Sequence, residues 1–306
     1  MKKWQNHLLI LMLLVLPNQL FAQELKQEDY SWVHHSNCLE NIAYGEDKDQ
    51  RLDIYLQGNW IGPPRYFEAD TAKKPTIVFF HGGGWIRGQK ESFVYESFFL
   101  NFIKQGWNVV NVEYRLGNNT APKAVDDALC VLAWIAEHAG EFHIDTERIV
   151  LYGVSSGGHL ALSAGFMNYV PESHPCAIGD RINICAIINW FGVTDIRMHY
   201  DHKIEKELEN TVLLWVGKED RIDEISEKYS PINYVSKNSP PVLSVHGEAD
   251  GDVIYKHAHT LHQLLDEVPV KNKLVTLKDG RHMGFTREQF QFIYEQIFLF
   301  LGEVME

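Results

Sequence analysis

The chain has 306 residues, 45% of them hydrophobic and 12% aromatic, enough apolar side chain for one large core. It carries 41 acidic against 28 basic side chains, a formal net charge of −13. That balance excludes nucleic acid and an anionic membrane surface as expected partners, because both draw basic proteins.

The first segment reads as a targeting signal. Lys2 and Lys3 form a short positive region, Leu8 to Leu16 is an apolar run too short to span a bilayer, and Leu20-Phe21-Ala22 ends on a small residue suited to cleavage. Removal of residues 1–22 would leave a secreted or periplasmic chain, residues 23–306, with no stable membrane insertion. No cysteine stands near the proposed cut, so a lipid anchor is not expected. Exported chains form disulfides. Of Cys38, Cys130, Cys176 and Cys185, the pair expected from nearness in the chain is Cys176 with Cys185. Cys130 sits in an amphipathic helical pattern and reads as a buried thiol. The spacings match no zinc motif.

Further along, residues 41–56 read as a hairpin region and residues 58–74 as a loop containing Gly and Pro. Thr76 to Phe80 is a short β-rich run expected as a buried strand, and His81-Gly82-Gly83-Gly84-Trp85 follows it. A helix is expected over 93–105, a strand over 107–113 and a helix over 122–138, with Pro122 in its tolerated first turn. Arg148 to Tyr152 reads as a strand that runs into Gly153-Val154-Ser155-Ser156-Gly157-Gly158 and then a helical run from His159. Residues 183–190 form another expected strand. A polar stretch over 191–237 follows, with helices expected at 205–216 and 221–228; it reads as a small cap insertion. Pro241 to Val245 leads as a strand into His246-Gly247-Glu248-Ala249-Asp250, and a helix is expected over 255–267. Lys273 to Leu277 leads as a strand into Asp279-Gly280-Arg281-His282, and a helix closes the chain from 287 to about 301. Strands alternating with helices imply an α/β architecture: one mostly parallel sheet with helices on both faces.

Four of these strand ends carry chemistry. A G-x-S-x-G turn between strand and helix is the context of a nucleophile elbow, which exposes its serine, Ser155, above the sheet. Gly153 and Gly157 flank it where side chains would crowd the turn. Glycines after the 76–80 strand let backbone N–H groups approach a ligand closely. Asp250 and His282 each stand just past a strand's C-terminal end, where open α/β sheets bind ligands. The order Ser155, Asp250, His282 is that of an α/β-hydrolase.

On these motifs the chain resembles α/β-hydrolases of the esterase/lipase group with an HGGG motif. It is most similar to the bacterial feruloyl-esterase-like (BD-FAE) and acetyl-xylan-esterase-like branch, related to the hormone-sensitive lipase group. Leu52-Asp53-Ile54-Tyr55-Leu56, Glu113-Tyr114-Arg115-Leu116, Arg148-Ile149 and Ser230-Pro231-Ile232 extend the likeness over nearly all of the chain after residue 40. The resemblance implies Ser155 as nucleophile, His282 as general base and Asp250 as the group that orients it. It implies an oxyanion hole of the Gly83, Gly84 and Ser156 N–H groups. Ser156 departs from the alanine relatives often carry there. Neither a metal nor an organic cofactor is required.

Several residues admit a second reading. Asp252 is the competing acid, disfavoured by the H-G-x-x-D pattern. Trp85 either lines the substrate pocket or packs the loop, and His81 is expected to brace that loop. His159 is expected as a packed structural residue. His257, His259 and His262 do not share one helical face and read as a solvated helix rather than a metal site. Glu113, Arg115, Asp126 and Asp127 are expected to form a charge network behind the site. The implied activity is that of an exported serine carboxylic-ester hydrolase. Its substrate would be a small-molecule or carbohydrate ester with a short acyl, acetyl or feruloyl group. The alternatives are an arylformamidase-like or peptidase-like amide hydrolase and a non-catalytic hydrolase-like binding protein. The last class usually lacks a triad member, whereas this chain carries candidates for all three.

Overall fold

In the computed structural model, residues 38–61 and 66–305 are described; the expected signal segment, residues 1–22, lies outside them. Eight strands form one sheet: β1 (Cys38–Ala43), β2 (Arg51–Tyr55), β5 (Lys74–Phe80), β6 (Asn108–Val112), β7 (Ile144–Val154), β8 (Ile184–Trp190), β9 (Val242–Gly247) and β10 (Asn272–Leu277). Their order across the sheet is β1-β2-β6-β5-β7-β8-β9-β10. The first two join antiparallel, and every pairing from β6 to β10 is parallel.

The central strands are apolar on both faces, as strands covered on both sides must be. Val78 and Phe80 of β5, Val110 and Val112 of β6, and Ile149 and Leu151 of β7 point into one core. Ile77 and Phe79, Val109, and Val150 and Tyr152 point into the other. Helices α2 (Lys123–His138), α3 (Ser156–Met167) and α7 (Lys256–Glu267) supply Leu129, Leu160 and Leu261 to the first core. Helices α1 (Phe93–Lys104) and α8 (Arg287–Val304) supply Phe98, Phe102, Ile293 and Ile297 to the second. The α/β expectation is therefore met: a mostly parallel sheet sandwiched by helices.

Three local expectations need correction. Part of the 58–74 loop is a hairpin, β3 (Gly58–Ile61) paired antiparallel with β4 (Tyr66–Ala69). The register sets Trp60 opposite Phe67 and Ile61 opposite Tyr66, and aromatic and β-branched residues favour strands. The single helix expected at 205–216 is two, α4 (Ile196–Glu205) and α5 (Thr211–Val216). The break falls where Glu207 takes φ 52° and where the Asn210 side chain accepts from Leu213 N–H to start the next helix. Helix α6 (Ile222–Tyr229) matches the expectation for 221–228 and packs with α4 and α5.

The disulfide differs too: Cys130 on α2 bridges to Cys176, with Cα atoms 5.0 Å apart. Cys185 remains a buried free thiol, and Cys38 is also free. Nearness in sequence misled here, because β8 turns Cys185 to the α8 face of the sheet while Cys176 packs on the α2 face. Cys130, His174 and Cys176 are close enough to suggest a metal site, but the bridge consumes both sulfurs.

Candidate active site

Strand β7 delivers Ser155 into a sharp turn with φ 55° and ψ −122°, a conformation that costs a non-glycine residue energy. The surrounding backbone holds it there. Ser155 N–H donates to Trp190 C=O at 2.9 Å, and Ser155 C=O accepts from His159 N–H at 3.1 Å. The flanking glycines are obligatory by contact. A Cβ on Gly153 would lie 2.0 Å from Gly157 O, and a Cβ on Gly157 would lie 2.0 Å from Phe80 O. This close approach brings the start of α3 against the end of β5, and so against the glycine loop.

The three candidate side chains converge. His282 Nε2 stands 3.0 Å from Ser155 Oγ, and His282 Nδ1 stands 2.8 Å from Asp250 Oδ2. A carboxylate can only accept, so Nδ1 carries the proton and Nε2 is left to accept from the serine hydroxyl. Asp250 is itself fixed: its Oδ1 accepts from Asp252 N–H at 2.9 Å and Val253 N–H at 3.0 Å. Burial works to raise the pKa of Asp250, yet the hydrogen bonds from His246 and His282 hold its carboxyl far below the ordinary carboxylate range. It is therefore an anion at any working pH. His246 was not anticipated in this role. Its Nε2–H donates to Val253 C=O at 2.7 Å and lies 3.4 Å from Asp250 Oδ2. Phe191, with φ 40°, packs its ring 4.5 Å from the His282 imidazole.

Asp252 is not brought to the imidazole. It pairs with Lys203, a buried lysine on α4.

The glycine loop faces Ser155. Gly83 takes φ 130° and Gly84 φ 63°, which bend the loop back beside the elbow. Ser156 N–H belongs to the first turn of α3, where no intrahelical carbonyl can take it and the helix dipole favours negative charge. Gly84 N–H, however, donates to Ser156 Oγ at 2.9 Å. The Ser156 hydroxyl thus engages one of the three expected oxyanion donors at rest.

Buried polar contacts support this loop from behind. His81 Nδ1 lies 2.7 Å from Gly82 O and its Nε2 3.2 Å from Glu113 Oε1, while the ring stacks on Tyr114 at 4.5 Å. Trp85 has a fully buried side chain stacked on Trp215 at 4.8 Å, within the cavity wall. Its indole N–H donates to His159 Nδ1 at 3.1 Å, so the His159 proton sits on Nε2, which donates to Tyr229 C=O at 2.9 Å. Burial pushes His159 down to about 4, so the ring is neutral and serves as a strut between α3 and the loop.

The expected charge network is not one network. Arg115 binds Asp127, Glu113 holds His81 and accepts from Lys90 N–H, and Asp126 pairs with His174. Lys90 is nearly fully buried and pairs with Asp53, an ion pair that periodicity in the sequence does not reveal. Helix α7 also departs from expectation: His257 and His262 are buried, and only His259 faces out. With Ala258, Leu261 and Leu265 they make up its inward face.

A cavity of about 520 Å³ opens over Ser155 and His282, walled by the glycine loop and by residues of α4 and α5. An elbow serine bonded to a His–Asp pair, at the C-terminal edge of a mostly parallel sheet, defines an α/β-hydrolase. A family model described as BD-FAE matches residues 65–265, and the chain belongs to that family. It is similar to Esterase LipC of Mycobacterium tuberculosis, 24% identical over 84% of this chain and 64% of that protein. It is also similar to isoprenylcysteine alpha-carbonyl methylesterase ICME of Arabidopsis thaliana, 25% identical over 92% of this chain and 64% of that one. The chain thus spans less than two thirds of the length of these relatives. In fold it matches a truncated carbohydrate esterase from gut microbiota, with TM-score 0.70 and 24% identity over 87% of this chain and 97% of that one. It likewise matches Thermogutta terrifontis esterase 2 phosphoramylated by tabun, with TM-score 0.67 and 23% identity over 87% of this chain and 94% of that one.

Proposed function

We propose that the protein is a serine carboxylic-ester hydrolase working through an acyl-enzyme. The observation that carries this is the unbroken relay from Ser155 through His282 to Asp250, at 3.0 and 2.8 Å, on the floor of the cavity. Ser155 Oγ attacks the ester carbonyl as His282 Nε2 takes its proton. Asp250 stabilises the imidazolium that forms. The developing oxyanion is met by the N–H groups of Gly83 and Ser156 and by Gly84 as it turns from Ser156 Oγ; such a donor contributes about 3–4 kcal/mol. His282 returns the proton to the leaving alcohol, and water then cleaves the acyl group from Ser155.

The substrate class we favour is a short-acyl, acetyl or feruloyl ester of a carbohydrate. A cavity of about 520 Å³ has room for a small ester, and polar side chains line its outer wall. We further propose export with cleavage after Ala22. The Cys130–Cys176 bridge supports an oxidising compartment. N-terminal sequencing of the exported protein should begin at Gln23.

A fluorophosphonate probe tests the mechanism. Labelling of the wild type and not of Ser155→Ala is expected, with p-nitrophenyl acetate turned over faster than long-chain esters. Labelling at another residue, or turnover retained in Ser155→Ala, would overturn the assignment.

A further inference from the structure

One wall of the active-site cavity carries groups that the relay does not use. His199 and Lys203 stand four residues apart on α4, so they share a face, and both line the cavity. His199 is 3% exposed and its Nδ1 has no hydrogen-bond partner among the described residues; burial, and then neighbouring His257, drive its proton affinity down, so the ring is neutral. Lys203 is 4% exposed, and its ammonium is held by Asp252, whose carboxylate lies 57% exposed at the cavity. A buried polar atom without a partner is costly, and here its residue lines the same cavity as an ion pair.

We infer that His199, Lys203 and Asp252 form a polar subsite for a neutral, hydroxyl-bearing alcohol portion of the ester. The inference rests on the ester-hydrolase reading and adds the residues that select the alcohol. The position follows from the chain. The segment that brings Asp250 to the imidazole continues directly to Asp252, so the Lys203–Asp252 end of the cluster stands on the His282 side, where the leaving oxygen collects its proton, while the His199 ring lies 6.3 Å from that of Trp85. The oxyanion glycines lie on the other side of Ser155. The charge follows from the set: one ammonium, one carboxylate and one neutral imidazole sum to zero. An anionic alcohol would meet Asp252 and a cationic one Lys203, whereas hydroxyl groups can accept from the ammonium and donate to the carboxylate and imidazole. A site built to bond hydroxyls rejects the analogue lacking them, because its own polar groups are then left unpaired.

The test compares two acetates with ring alcohols of similar size: a monoacetylated methyl xyloside with free hydroxyls, and cyclohexyl acetate. The wild type should prefer the xyloside by at least tenfold in kcat/KM. Lys203→Met removes the ammonium and leaves Asp252 facing solvent; it should cut that preference at least tenfold, chiefly through KM on the xyloside. A wild type that turns over both esters without that preference, or a preference unchanged in Lys203→Met, overturns the subsite. A second readout needs no turnover: Ser155→Ala should bind the intact acetylated xyloside in ligand-observed NMR, and Ser155→Ala/Lys203→Met should not. Equal binding by both overturns the subsite even in an active esterase. Loss of binding in the double variant sustains the subsite even where the wild type hydrolyses neither ester, a result that sinks the hydrolase reading alone.

Discussion

Asparagine at position 250 isolates what the carboxylate does. Asp250 Oδ1 accepts two backbone N–H groups, from Asp252 at 2.9 Å and Val253 at 3.0 Å. In Asp250→Asn these two donors hold the amide oxygen in that place and turn its NH2 toward His282 Nδ1. A donor there forces Nδ1 to accept, so the ring proton moves to Nε2, which then faces Ser155 Oγ as a donor. The base is present but in the wrong tautomer. The corresponding change in a serine-protease triad lowers kcat about 10⁴-fold, roughly 5 kcal/mol of transition-state stabilisation. We expect a loss of about 10³–10⁴ in kcat on p-nitrophenyl acetate, with the fold intact by circular dichroism. Asp252→Asn, which touches Lys203 instead, should stay within about tenfold of wild type. A larger loss in Asp252→Asn than in Asp250→Asn would refute the assignment of the acid.

Ser156→Ala removes the acceptor that engages Gly84 N–H at rest. Losing that competition, worth about 1 kcal/mol, should raise kcat up to about fivefold in steady-state assays; a fall in kcat would mean the hydroxyl is needed to hold the loop. The Cys130–Cys176 bridge closes a loop of 46 residues, so Cys130→Ala/Cys176→Ala should lose up to about 4 kcal/mol in urea unfolding. No change would indicate that α2 and the segment after α3 are held without it. Acid should destabilise the fold through its buried imidazoles. Burial lowers His159 to about 4 and His257 to about 3 from an ordinary 6.5. The unfolded chain takes up these protons below pH 6.5 and the folded chain does not until far lower. Stability is therefore full above pH 6.5 and falls as pH drops toward 4, by on the order of 3 kcal/mol for His159 alone. The pH dependence of the melting temperature checks this, and His159→Gln should flatten it.

The sheet was legible because β5, β7 and β8 are apolar on both faces, and β5 and β7 end in residues with a chemical signature. Ser155, Asp250 and His282 were legible for the same reason: turn chemistry at a strand end is a local property of sequence. What stayed hidden is what depends on which face an element presents. Cys176 and Cys185 are close in the chain yet lie on opposite faces of the sheet. His257 and His262 look like solvent-facing positions until α7 is docked, and then they belong to its buried side. Lys90 carries a charge that reads as surface, but Asp53 waits for it in the interior. Ser156 reads as a harmless substitute for alanine, and only the approach of Gly84 shows what its hydroxyl does.

Every residue of α3, from Ser156 to Met167, is enclosed by the rest of the molecule. The attacking hydroxyl therefore rides on the part of the protein least able to accommodate sequence change. Helices α4 and α5 reach the same cavity from a segment whose outer sides remain open to water. Diversification toward new esters, in nature or in a laboratory library, has its room for manoeuvre in residues 196–216, while the reaction machinery beneath stays untouched.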